Sequence, residues 1–260
     1  MLILHQFSAS HFNEKVRWAL NYKGLTHRRE TYLPGPHFPV IKKLSGGPST
    51  TPLLQHDDGY ISGSAAIIDW LESRYPEPAL LPADKALCTQ AIAMQTRFDA
   101  TVGPATRTLL FEVLLNEPNY LCDTFSVSKP WLKRLAFRAS FPAAKGFIRK
   151  GNGVYPDNIA GSRLITQAAL DEVAAGVART GYLVGSHFSV ADLCAASLLA
   201  PLTNVSHPDM QRIEPMPFAV KEFLGQWANH AAIAWVHEMY ARHRPVKLGN
   251  RQVLLTRWRR

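Results

Sequence analysis

Apolar and polar positions change their rhythm once along the 260-residue chain. Up to residue 78, short apolar runs alternate with helical repeats. Residues 2–7 read as a strand, and residues 12–23 as a helix with Val16, Ala19 and Leu20 on one face and Gly24 as its stop. Residues 28–33 are a second strand, and a short helix follows near residues 40–44. Residues 52–55 and 60–62 flank Asp57-Asp58-Gly59, a hairpin signature. Ser64 then opens a helix in which Ala65, Ile68 and Leu71 recur at helical spacing until Pro76. The predicted order, β-α-β-α-β-β-α, is a small α/β sandwich.

Beyond a proline-rich hinge at 76–82, helical periodicity takes over. Residues 83–115 form a long helical stretch that Pro104 kinks or interrupts. Residues 116–160, with Pro118, Pro130, Pro142 and Pro156, read as a broken helical insertion. Residues 162–180 form another helix. Ser189-Val190-Ala191-Asp192 is a capping-box start, with Phe188 and Leu193 placed as its hydrophobic staple. A final helix is expected over 217–242. The fold class is therefore α/β plus all-α. Domain one covers 1–78, a linker 79–83, the helical domain 84–250 with the insertion at 116–160, and a basic tail 251–260.

Composition narrows the function classes. With 47% hydrophobic and 19% charged residues the chain can build a core and is not globally disordered. Its longest uncharged run, residues 193–208, is 16 residues long and holds Ser197, Pro201, Thr203 and Asn204, too short and polar for a membrane span. No basic n-region precedes Leu2-Ile3-Leu4, so no secretory signal is expected, and the cysteine usage fits a reducing cytoplasm. The three cysteines, Cys88, Cys122 and Cys194, show neither zinc spacing nor a disulfide framework, and no metal is expected. The histidines are scattered, with His237 and His243 read as surface residues of the last helix. Dinucleotide, Walker A, zincin and nucleophile-elbow motifs are all missing.

Charge redraws the map. Residues 129–150 hold seven bases and no acid, and residues 239–260 hold seven more. These segments carry 14 of the 29 bases, so elsewhere 15 bases face 20 acids. In the first segment, Trp131, Leu132, Leu135 and Ala139 share one helical face, and Lys133, Arg134 and Arg138 the other. One reading is a helix packed by its apolar face on its own domain, with a solvated basic face. The other is a surface for anionic lipid or, less favoured, nucleic acid. The tail reads as a mobile terminus.

Three motifs, in order and at consistent spacing, resemble the soluble glutathione transferase superfamily over nearly the full length. Residues 10–20, Ser-His-Phe-Asn-Glu-Lys-Val-Arg-Trp-Ala-Leu, are similar to that family's Ser/Cys-Pro-Phe-x-x-Lys/Arg-Val-Arg-x-Ala-Leu segment. Residues 49–54 resemble the segment with the fold's cis-proline, and 63–71 its Glu/Gln-Ser-x-Ala-Ile-x-x-Tyr-Leu helix start. The resemblance implies a thioredoxin-like domain followed by an all-helical one, usually as a homodimer, with glutathione as co-substrate.

By that resemblance Ser10 would stabilise the glutathione thiolate, and residues alone also allow a plain helix N-cap. A thiol near pKa 8.5 is only a few per cent ionised at pH 7, so a hydroxyl donor at a positive helix end favours the nucleophile. Thr51, before a cis Pro52, would pair with the tripeptide backbone. Gly63 and Ser64 would hold the γ-glutamyl carboxylate, although Ser64 also fits an ordinary helix start. Lys43, with Lys42, is a further candidate contact or simply a surface lysine. A hydrophobic electrophile would meet the helical domain near Phe98, Thr101, Arg107, Leu110 and Phe111. Three departures stand out: Gly63 replaces an acid or amide, His11 replaces proline, and position 10 is serine, which forms no mixed disulfide. A non-catalytic binding protein recruited to anionic membranes is the competing expectation.

Overall fold

The computed structural model describes residues 1–245 and begins with the α/β layer. Strand β1 (Leu2–Gln6), helix α1 (His11–Tyr22) and strand β2 (His27–Thr31) come first. Helix α2 (His37–Ser45), strands β3 (Leu53–His56) and β4 (Gly59–Ser62), and helix α3 (Ser64–Arg74) complete it. The sheet order is β2-β1-β3-β4, with β1 parallel to β2 and antiparallel to β3, and β3 antiparallel to β4. A parallel neighbour requires a crossover, which α1 provides. The polar strand β2, His-Arg-Arg-Glu-Thr, lies at an edge, where charge discourages pairing with another chain.

Helix α1 is more deeply placed than its apolar face predicts. Glu14, Lys15 and Arg17 are buried along with Val16, Trp18, Ala19 and Leu20. The helix is held between α3 on the sheet side and α9 (Val190–Leu199) of the helical half, so it has no solvent face. Each buried charge is therefore paired, as the cost of desolvation demands. Lys15 Nζ donates to Asp99 at 2.6 Å, and Lys23, just past the helix, donates to Glu72 at 2.6 Å and to the Tyr75 carbonyl at 2.6 Å.

The helical half contains α4 (Lys85–Ala100), α5 (Val102–Leu114), α6 (Pro118–Ser126), α7 (Trp131–Gly151) and α8 (Pro156–Val177). Then come α9, a 3-10 turn at Ala200–Leu202, α10 (Phe218–Gly225) and α11 (Ala231–His243). The stretch expected to kink near Pro104 breaks at Thr101, and Pro104 falls in the first turn of α5, where a missing N–H costs nothing. The single helix expected over 217–242 is two: His230 caps a fresh start by accepting from the Ala232 N–H at 3.2 Å. The capping box at Ser189 and Asp192 is formed. Every residue of α9 is buried, making it the axis of the helical core.

One packing expectation fails. Helix α7 does not bury its Trp131 face: Trp131 is 70% exposed, Leu132 61% and Leu135 57%, whereas Phe137 and Phe141 are 6% and 4%. With only one layer beneath it, α7 chose the two phenylalanines one turn apart. His243, read as a surface residue, is half-buried. It stacks on Phe188 at 4.4 Å and bonds the Tyr182 hydroxyl at 3.1 Å. Among the described residues no helix is long and apolar enough to cross a membrane. The tail at 251–260 and the last residues assigned to domain two lie outside the described residues.

Candidate functional site

Where the two halves meet the third strand, an open cleft of about 400 Å³ is lined by Phe12, Thr51, Pro52, Ser62, Gly63, Ser64, Ala65, Ala66 and Asp99. Two turns of chain build its floor. The Thr51–Pro52 peptide is cis, and the Pro52 carbonyl accepts from the Gly63 N–H at 3.0 Å, fastening the proline turn to the start of α3. Gly63 sits at φ 94°, a left-handed conformation that side chains rarely adopt, which accounts for glycine where the resembling motif has an acid or amide. Just after it, the N–H groups of Ser64, Ala65 and Ala66 have no partner within the helix, and all three residues line the cleft. A helix N-terminus of this kind favours a carboxylate.

Asp99 of α4 adds a carboxylate to the lining. Its carboxylate accepts from the buried Lys15 ammonium and retains lone pairs for a further donor. Sequence reading placed Phe98 in this region, one residue away, but Phe98 is fully buried in the core and presents no surface to a ligand. Helical spacing alone does not choose between neighbours, so Asp99 was missed, as was Phe12.

The cleft thus gathers Thr51, Pro52, Gly63 and Ser64 from the expected set. Ser10 is not on its lining. It caps α1, with its Oγ accepting from the Asn13 N–H at 3.4 Å, which leaves the hydroxyl proton free to be donated. Asn13 connects this cap to the cleft by donating to Thr51 Oγ1 at 3.2 Å. Lys43 is exposed in the last turn of α2, where a cation suits the helix dipole. Arg107 is largely buried on α5, and burial lowers its pKa. Phe111, one turn further, packs against Phe125 of the insertion at 6.1 Å. The insertion therefore closes on the end of α5, next to Phe7, whose ring is 6.2 Å from Phe125.

His11 explains its own departure from proline. Its Nε2–H donates to the Gly103 carbonyl at 2.9 Å, tying the start of α1 to the start of α5. Burial first, then the Arg107 charge, lowers its pKa to about 3. The unfolded chain binds a proton near pH 6.5 that the folded chain refuses, so stability should fall as pH drops from about 6.5 towards 3, at up to ~1.4 kcal/mol per unit. Asp192 acts in the opposite sense. Its carboxyl is pushed up by burial to about 6, so between 3.8 and about 6 the folded chain holds the extra proton. Urea midpoints measured across this range in wild type and His11→Gln isolate the histidine, because Asp192 is common to both. The variant, which keeps a donor for Gly103, should lose less stability on acidification. Parallel curves would rule the histidine out as the source.

Neither buried thiol is a reactive thiolate: burial raises Cys122 to about 11 and Cys194 to about 12. No cluster of three or more potential metal ligands occurs among the described residues.

Residues 4–79 match the family described as "Glutathione S-transferase, N-terminal domain". The first domain thus resembles that family, and the whole chain has the fold of a solved glutathione S-transferase. A glutathione S-transferase of Pseudomonas putida is 34% identical over 84 residues, 32% of this chain and 37% of that protein. A maleylpyruvate isomerase of a Ralstonia species is 36% identical over 83 residues, 31% of this chain and 39% of that one. The matched segments span less than half the length of these curated relatives. The full-length likeness is in structure. A glutathione S-transferase from Methylobacterium radiotolerans, in complex with glutathione sulfonate, superposes over 95% of both chains with a TM-score of 0.56 at 20% identity. The expected thioredoxin-like domain followed by an all-helical one is thus the architecture of this glutathione S-transferase fold.

Proposed function

We propose that this chain binds glutathione in the cleft of its first domain and uses it on a small electrophilic substrate, working as a homodimer. The observation that carries the reading is the meeting, in one cleft, of the Thr51–cis-Pro52 turn and the free N–H groups at the start of α3. The γ-glutamyl carboxylate would take those N–H groups and the Ser64 hydroxyl. Its ammonium would face Asp99, and the peptide backbone would run along Thr51. This places opposite charges against a zwitterion. Ser10 would donate to the thiolate at the N-terminus of α1, and the enzyme's gain would come from ionising the thiol and holding it against the acceptor. The similarity to both a transferase and an isomerase leaves two outcomes for the thiol adduct: release as a conjugate, or return of glutathione. A catalytically inert binding protein is the reading this one competes with.

Calorimetric titration with reduced glutathione tests the ligand. Saturable binding is expected, about ten- to a hundredfold weaker in Ser64→Ala, the loss of one hydrogen bond to a charged group. No heat at millimolar glutathione, or equal affinity in the variant, defeats the assignment.

A further inference from the structure

Helix α7 presents its apolar residues to solvent. At 100° per residue, Trp131, Leu132, Leu135, Ala136, Ala139, Pro142, Ala143 and Gly146 fall on one side of the helix, and all are exposed. Phe137, Phe141 and Ile148 fall opposite and hold the helix to the molecule. Phe147, 62% exposed, borders the outward face and meets Phe38 of α2 at 5.6 Å, so the apolar surface continues onto the first domain. The stripe runs from Trp131 to Gly146 of the 21-residue helix, about 24 Å. Isolated exposed apolar residues need no explanation, whereas a continuous row with three large side chains in its first five residues does.

The charge around the row indicates what covers it. Residues 129–150 contain seven bases and no acid. Two of these, Arg134 and Arg138, are anchored to Asp123 of α6. Lys133 is exposed beside the apolar row, and Arg149 and Lys150 are exposed at its C-terminal end. Long basic side chains bordering Trp and Leu are the composition of helices that lie in the plane of an anionic bilayer, apolar face down and cations against the headgroups. A second copy is the poorer occupant. A two-fold contact would set this unbroken run of bases against itself.

We propose that the outward face of α7 docks on an anionic lipid surface, with Trp131, Leu132 and Leu135 inserted and Lys133, Arg149 and Lys150 against the headgroups. The surface is separate from the glutathione cleft, so this proposal and the proposed function stand or fall independently.

The full-length protein should cosediment with phosphatidylcholine vesicles containing about a third phosphatidylglycerol, and at least about tenfold less with pure phosphatidylcholine. Binding should weaken when salt rises from about 0.1 M to about 1 M and the screening length falls from ~10 to ~3 Å. Leu132→Glu with Leu135→Glu should abolish it. Both side chains are solvent-exposed, so the melting temperature and the response to glutathione should match wild type. Vesicles should also blue-shift tryptophan emission in wild type and not in Trp131→Phe. Three results overturn the proposal. Wild type that ignores anionic vesicles does so directly. Undiminished binding by the double variant assigns adhesion to charge elsewhere in the chain. A concentration-dependent dimer that the double variant breaks, without vesicle binding, gives the face to a second copy.

Discussion

Replacing Glu14 with alanine should destabilise the fold by about 3–5 kcal/mol, a large part of the ~5–15 kcal/mol available to an ordinary domain. Glu14 is fully buried and accepts from Arg17 Nε at 2.7 Å and from Arg244 Nε at 2.7 Å. Arg244 also reaches Asp209 at 2.8 Å, and Asp209 accepts from Arg29 at 2.7 Å. Two carboxylates thus serve three guanidinium groups. Burial alone would raise the Glu14 pKa, but Arg244 and Arg17 outweigh it and hold the carboxylate below its usual range. Removing it leaves three guanidinium groups, two of them fully buried, on Asp209 alone. Glu14→Gln separates charge from shape, since the amide fills the space and still accepts a hydrogen bond. Urea unfolding should rank wild type well above both variants, with glutamine the milder. If glutamine matches wild type, packing rather than charge holds the cluster together.

That cluster gives α1 its position. Arg17 reaches back to the Gln6 side chain at 3.0 Å and the Phe7 carbonyl at 3.2 Å, at the end of β1 where the chain turns towards Ser10. Arg244 follows directly on α11, so the last helix is locked to the first through Glu14. Trp18 adds a second tie by donating to the His243 carbonyl at 2.7 Å. The end of the last helix and the first turns of α1 therefore share one network of ion pairs and hydrogen bonds.

The sequence announces the α/β order because its elements are short and punctuated by Gly or Pro. The Asp57-Asp58-Gly59 turn and the Ser64 helix start are local signals that tertiary context leaves alone. The cleft residues Thr51, Pro52, Gly63 and Ser64 are legible for the same reason, lying in two short backbone-defined motifs. Asp99 and the Glu14–Arg244 pair are not. They join positions far apart in the chain, and a charged residue in a helix reads as solvated until its neighbours are known. Helix α7 misleads through the same gap. Periodicity reports that one face is apolar but not whether anything in the chain covers it, and here Trp131, Leu132 and Leu135 face outward while Phe137 and Phe141 face in.

The largest effect on chemistry should come from Ser10→Ala. The wild-type hydroxyl accepts from the Asn13 N–H and still has its own proton to give, at a helix end that already favours an anion. Taking away one donor aimed at a developing or stabilised anion costs about 10²-fold in kcat/KM by analogy with other oxyanion sites. Bound glutathione should show the cause directly, its thiol pKa, read from thiolate absorbance, moving back up towards ~8.5. Alanine also removes an N-cap, worth ~1 kcal/mol of stability, so a lowered melting temperature alone proves nothing. Ser10→Thr separates the two roles, because threonine restores both the cap and the donor. Activity and thiol pKa should recover together in threonine and fail together in alanine. If alanine keeps the wild-type rate and thiol pKa while losing only stability, Ser10 is a cap and nothing more, and the thiolate must be held by other groups.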